Sequence, residues 1–318
     1  MRIIRAEAVD ELLSLEKLLP LCRDALISQA QGTVTRPERP HYPIGQGIHG
    51  NEPLGTGLAM PAYIHGEPYA VTKLATVHDG NTNRGLPTVQ ATIAVTDAET
   101  GTPLGYLDGR TITNARTGCI GGLAARQFTD GPITVGVLGA GTQARWQTRA
   151  IATACPVEQV HIYSPSDSKH TCADELRSEG IDAVAVETSD AAVSDVDVIV
   201  TATTATAPTF DGSLLRDDAV VIAVGAYTST MQELDRETIE RATAHYADVP
   251  EEAIETGDIP SEYAAHIQPL GRELESKPST RSGIVVVKSV GTAVLDAAAA
   301  GFVYDAAESA DRGAVVPF

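Results

Sequence analysis

The segment Val135-Gly-Val-Leu-Gly139-Ala-Gly141-Thr-Gln-Ala144-Arg145 constrains the fold more than any other part of this chain. An apolar run over 133–138 leads into the two glycines, a helical pattern covers 143–154, and a second apolar run covers 157–163. This order predicts strand, tight turn, helix and strand, which is one βαβ unit. Gly139 permits the turn, Gly141 lets a ligand approach the backbone, and the small Ala144 lets the helix pack closely on the strand. The helix start presents unpaired N–H groups and a partial positive charge, and Thr142 and Gln143 beside it are candidate cofactor-binding residues. G-x-G-x-x-A in this setting predicts that a dinucleotide diphosphate binds there; a tight turn with no ligand is the alternative.

Beyond this unit the pattern continues as a helix over 167–179 and strands over 183–186, 196–202 and 219–224, which implies a parallel sheet covered on both faces. The first 130 residues differ, with Gly and Pro frequent between Pro37 and Pro61. Strands over 69–77, 88–96 and 104–109 are joined there by turns such as DGNTNRG and DAETG, predicting a separate, more antiparallel domain. Near the far end a strand over 283–287 precedes an alanine-rich helix over 292–307, expected to return to the first domain.

A chain of 318 residues has room for two ordinary domains. With 43% hydrophobic residues and no apolar run near the roughly 20 residues of a membrane helix, no membrane association is expected. The N-terminus lacks the apolar block of a secretory signal, so a cytoplasmic location is expected. Four cysteines without C-x-x-C spacing and eight scattered histidines predict no metal site. A formal charge of -19 excludes nucleic acid as a partner, because phosphates must be met by Lys and Arg. Acidic residues spread along the chain, with only five lysines, lead to the hypothesis of a salty cytoplasm; an ordinary acidic protein is the alternative. Stability unchanged from low to molar KCl would rule the hypothesis out.

The end of the second strand bears on which dinucleotide binds. An Asp or Glu there would bond the ribose hydroxyls of NAD, but the sequence reads Tyr163-Ser164-Pro-Ser166-Asp-Ser168-Lys169. Hydroxyls at Ser164, Ser166 and Ser168 with Lys169 could hold a 2′-phosphate, which favours NADP(H) and leaves NAD(H) open; alternatively these serines cap the following helix. Candidate substrate residues are Lys73 in YAVTKL, Thr88 in NRGLPTVQAT and Arg116 in DGRTITNARTG. A lone Lys or Arg is usually a solvated surface group, but these sit among small and apolar residues. Lys73 and Arg116 could clamp a carboxylate, Arg through its bidentate fork and Lys as a mobile point charge.

The chain resembles the ornithine cyclodeaminase and mu-crystallin family, which also contains archaeal alanine dehydrogenases and ketimine reductases. The resemblance rests on GLPTVQAT, DAETGTPLGYLDG, ITNARTG, VGVLGAGTQAR, VGAY with QEL, and VVVKSVGTAVLDAAAA, in that order. It implies an α/β homodimer with a Rossmann dinucleotide-binding domain over 129–289. An α+β substrate-binding and dimerisation domain over 1–128 would be completed by 290–318. It also implies roles: Lys73 and Arg116 hold a small amino or imino acid and act in catalysis, with Thr88 supporting them. Ser289 and Gly291 would lie near the nicotinamide, and Thr201 to Thr203 would border its ribose.

One position departs from the family pattern. Ornithine cyclodeaminases carry an aspartate that meets the substrate's distal amine, and Tyr227 in Gly225-Ala-Tyr227 stands in its place among the substrate-binding positions. A phenol uncharged at neutral pH cannot pair with a second ammonium, which puts ornithine cyclisation in doubt. The expected activity is therefore an NAD(P)H-dependent imine reductase or amino-acid dehydrogenase. Ornithine cyclodeaminase is the alternative, and a dinucleotide-dependent binding protein with little catalysis is the alternative of another class.

Overall fold

The computed structural model describes residues 1–279 and 282–317. The chain divides into two compact units, one made of 1–14, 31–116 and 293–318, the other of 15–30 and 117–292.

The first unit is built on an eight-stranded sheet. Its centre is an antiparallel run of Gly55–Ile64, Tyr69–Val77, Val89–Asp97 and Pro103–Asp108, and Arg2–Ile4 adds in parallel to the last of these. Side chains alternate across the sheet, so Val71, Lys73 and Ala75 share the buried face while Leu74 points outward. The helix Ala293–Ser309 packs on that buried face. Its alanines and Gly301 permit a close approach, since a Cβ on Gly301 would sit 3.2 Å from the Tyr69 ring.

The strand Gly55–Ile64 and the short strand His41–Ile44 occupy the segment that the sequence marked only as glycine- and proline-rich. They form because both pair along their length: Gly57, opposite Tyr42, leaves room where a side chain would meet the tyrosine ring. Turn-forming residues here report close packing rather than the absence of a strand.

The second unit holds a sheet of eight strands, all parallel. Its order is Ala183–Ala185, Val157–Tyr163, Ile133–Leu138, Val198–Thr201, Val220–Ala223, Ile284–Lys288, Ala242–Ala247 and Ile267–Pro269. The strand order reverses between Ile133–Leu138 and Val198–Thr201, which opens the crevice in which such sheets bind ligands. Both of these strands are apolar and almost wholly buried, as helices on both faces require.

The expected division after residue 128 is not the one found. The helix Gly109–Phe128 is continuous, and the boundary falls within it after Arg116. Its distal half belongs with the parallel sheet because glycines there admit the helix Thr142–Ala154: Cβ atoms on Gly118 and Gly122 would each lie 2.6 Å from its carbonyls. The helix Leu15–Ala30 joins the second unit for the same reason, with Gly271 packed against the Leu26 carbonyl. Among the described residues no helix is long and apolar enough to cross a membrane.

Candidate active site

In the second unit the turn Gly139–Ala140–Gly141 borders a crevice of ≈ 750 Å³, lined also by Ser164, Ser168, Thr203, Thr204 and Thr209. Gly139 has φ +111°, a conformation that side chains resist, and a Cβ there would stand 2.5 Å from the Ala202 carbonyl. Gly141 caps the helix Thr142–Ala154 without any side-chain hydrogen bond, and the position its Cβ would take is open space. A helix start whose cap residue has no side chain thus stands beside a turn that needs glycine at 139, an arrangement that fits a diphosphate. Ala144 is fully buried at the helix–sheet contact, while Thr142 is exposed and Gln143 half-buried in the first turn.

At the end of Val157–Tyr163 the three serine hydroxyls form one cluster. Ser166 and Ser168 are 2.7 Å apart, and each lies 3.3 Å from Ser164. The expected fourth member is absent from it. Lys169 is buried, donates to the Val186 carbonyl and pairs with Glu187 at 3.0 Å, because its place on the helix Ser168–Ser178 directs the chain toward the strand Ala183–Ala185. Lys169 is thus engaged by Glu187 and the Val186 carbonyl, and the cluster at this strand end consists of hydroxyls.

The loops after Val198–Thr201 and Val220–Ala223 converge on Glu233, which sequence reasoning did not single out. The Thr201 hydroxyl, the Thr203 amide and hydroxyl, and the Gly225 and Ala226 amides all donate to its carboxylate at 2.6 to 3.3 Å. Below it, Asp258 accepts from the Glu233 and Leu234 amides, and Lys288 pairs with Asp258 at 2.6 Å while donating to the Ala226 carbonyl. Burial pushes the Glu233 carboxyl above its usual range, against the attraction of Lys288. Thr201 is therefore a buried anchor, and of the two expected threonines Thr203 lines the crevice.

Ser289 and Gly291 are organised in a similar way. Asp248, buried, accepts from the Ser289 hydroxyl and from the amides of Val249, Val290 and Gly291 at 2.8 to 3.0 Å. These residues shape the loop after Ile284–Lys288, and the Ser289 hydroxyl is engaged within it. Tyr227 is exposed, on the loop following Val220–Ala223.

In the first unit Lys73 and Arg116, each 3% exposed, meet around a carboxylate that the sequence analysis did not name. Asp296, fully buried on the helix Ala293–Ser309, lies 2.6 Å from Lys73 Nζ through Oδ2 and accepts from Arg116 Nε at 2.8 Å through Oδ1. The Thr113 hydroxyl, one helical turn before Arg116, is 3.4 Å from Lys73 Nζ. Arg116 Nη1 is buried with no hydrogen-bond partner among the described residues.

Burial lowers the Lys73 pKa to about 8; the neighbouring Arg116 and Arg39 charges act in the same direction, and Asp296 opposes them. For Asp296 burial alone would raise the pKa, but Arg116 and Lys73 together hold it below the usual carboxylate range.

Thr88 is not brought to this group. It precedes Val89–Asp97 opposite His78, whereas Lys73 pairs with Ile93, so five residues, roughly 16 Å of strand, separate the two positions. The hydroxyl beside Lys73 is instead that of Thr113.

A Rossmann-type parallel sheet with a glycine cradle at its switch point, carried with a unit that buries a Lys–Arg pair, defines a two-unit α/β protein of the dinucleotide-dependent class. The chain belongs to the ornithine cyclodeaminase/mu-crystallin family, whose model matches residues 2–311. It is 32% identical over 308 residues to the ketimine reductase mu-crystallin of Rattus norvegicus, covering 94% of this chain and 95% of that protein. Among solved structures it is similar to the Thermococcus litoralis Δ1-pyrroline-2-carboxylate reductase in complex with NADH and L-proline. That similarity has a TM-score of 0.91 and 27% identity, covering 99% of this chain and 100% of the other. An archaeal alanine dehydrogenase dimer with bound NAD gives a TM-score of 0.89 at 26% identity, covering 100% and 99%.

Proposed function

We propose that this protein is an NAD(P)H-dependent imine reductase acting on a small imino acid, with a cyclic imine such as pyrroline-2-carboxylate as the favoured substrate. The observation that carries this reading is the buried Lys73–Arg116 pair, in which Arg116 keeps a donor without a partner among the described residues and Lys73 has its pKa brought down to about 8. A bound nicotinamide coenzyme supplies the hydride for the α-carbon. Arg116 takes the substrate carboxylate through its spare N–H. Lys73 delivers a proton to the imine nitrogen as the carbon is reduced, and a lysine of lowered pKa suits that task near neutral pH. In the reverse direction the same amine takes the proton back. Gly139 and Gly141 would hold the diphosphate, and Thr203 would border the nicotinamide ribose.

NADP(H) is the coenzyme we favour, on the serine cluster at Ser164, Ser166 and Ser168 and the lack of an acidic residue at that strand end. The working form is a homodimer, a reading supported by the dimeric alanine dehydrogenase; light scattering giving a single-chain mass would contradict it. Absorbance at the reduced-nicotinamide band, followed with pyrroline-2-carboxylate and each coenzyme in high salt, tests the activity. Steady oxidation of the coenzyme is expected. Ammonia release from ornithine without net absorbance change would replace this reading with cyclodeamination, and coenzyme binding without turnover would replace it with a binding role.

A further inference from the structure

The carboxylate between Lys73 and Arg116 is unusual in its setting. It lies in the first turn of the helix Ala293–Ser309, fully buried and directly before four alanines, and it contacts the two cations by separate oxygens. A charge in such a place is retained only if something compensates it, and the two cations do. Resting on the imine-reductase reading, we propose that Asp296 is a positioning residue that orients Lys73 and Arg116 and sets the site's charge for a substrate bearing a single carboxylate.

The charge count supports this. Two buried cations against one buried carboxylate leave one positive charge, which one substrate carboxylate neutralises. The donor count agrees with it: Asp296 accepts from Arg116 Nε, and Nη1 is buried with no partner among the described residues, open to the second carboxylate. Asp296 Oδ2 holds Lys73 Nζ at 2.6 Å as an ion pair, which fixes the ammonium beside Arg116. The charged groups acting on Lys73 are Asp296 from this helix, Arg116 from Gly109–Phe128 and Arg39 from the segment before His41–Ile44. The neighbouring strands offer Met60 and Ile93, which are apolar. Asp296 is thus the one group among these that favours the ammonium form.

The test uses the full-length protein and two variants, Asp296→Asn and Asp296→Glu. The chain has five lysines, so isotope labelling of their Nζ and Cε atoms gives a spectrum in which Lys73 is assigned with a Lys73→Arg control. Asp296→Asn is expected to lower the midpoint of Lys73 titration by about one unit or more, because the group that favoured its charged form is gone. With it, KM for pyrroline-2-carboxylate should rise about tenfold or more while the coenzyme Kd stays within about twofold. Preference for an imine with one carboxylate over one with two should narrow by about tenfold. Asp296→Glu, which keeps the charge on a longer arm, should leave the Lys73 midpoint in place and raise KM about threefold.

An unchanged Lys73 midpoint and unchanged carboxylate preference in Asp296→Asn would overturn the proposal. Should that variant fail to fold, Asp296→Glu decides: a raised KM for the imine with unchanged coenzyme affinity supports positioning, and wild-type kinetics refute it. Because the titration needs no substrate, a shifted midpoint in a protein without imine turnover would remove the functional reading and leave the positioning role intact. Normal turnover with an unshifted midpoint would do the reverse.

Discussion

In the first unit one triad sets two buried cations against one carboxylate, Lys73 and Arg116 with Asp296; in the second, one triad sets two buried carboxylates against one cation, Glu233 and Asp258 with Lys288. Both triads join strands to distant parts of the chain, yet they are satisfied differently. In the second, backbone amides and threonine hydroxyls donate five hydrogen bonds to Glu233, and Asp258 accepts two amides besides Lys288. In the first, Arg116 Nη1 has no hydrogen-bond partner among the described residues, and Asp296 Oδ2 meets Lys73 as an ion pair. A closed network holds loops in place; one with a donor to spare costs stability and has something to offer a ligand.

The widest separation between the triads should come from deleting one cation in each. Lys73→Ala removes the proposed proton donor and is expected to lower kcat by roughly 10²–10⁴-fold, measured at saturating coenzyme. Asp296 keeps Arg116 as its partner, so the fold should survive and coenzyme affinity should stay near wild type. Turnover at the normal rate would break the assignment of the open triad to chemistry.

Lys288→Met should do the opposite. It leaves Asp258 and Glu233 buried without a counter-charge, at a cost of about 3–5 kcal/mol, which corresponds to roughly 10 °C in the melting temperature. A variant that melts like the wild type would show that the second triad is not the closed structural element described here.

The pH profile sharpens the contrast further. If Lys73 is the proton donor proposed above, kcat/KM for imine reduction should hold below its pKa of about 8 and fall as pH rises through it. A profile flat to pH 10 would remove Lys73 as the acid. A change outside both triads should have the smallest effect: Ser164→Asp is expected to shift preference from NADPH toward NADH by about tenfold in relative Kd, with kcat little altered.

Much of the second unit was legible in the order of residues. The predicted strands over 133–138 and 157–163 match the observed bounds, and the helix predicted over 143–154 begins one residue earlier. Local patterns sufficed there because buried parallel strands, a glycine turn and an amphipathic helix each leave a contiguous signature. The strand Gly55–Ile64 was not legible, since its glycines and proline serve packing across the sheet and look like turns when seen one at a time. Lys169 misled for a related reason: proximity in sequence to the serines did not reveal that Glu187 and the Val186 carbonyl, far along the chain, already engage its ammonium.

By itself the sequence determined the strand–turn–helix around Gly139 and Gly141 and the family, and it singled out Lys73 and Arg116 as candidates, because each rests on residue types in a short window. Only the tertiary structure decided that Asp296 joins them, from 180 residues beyond Arg116, and that Glu233 and Asp258 underpin the crevice loops. A buried charge is stable only beside its compensating partner, and that partner's place in the chain follows from how strands and helices pack rather than from any local pattern.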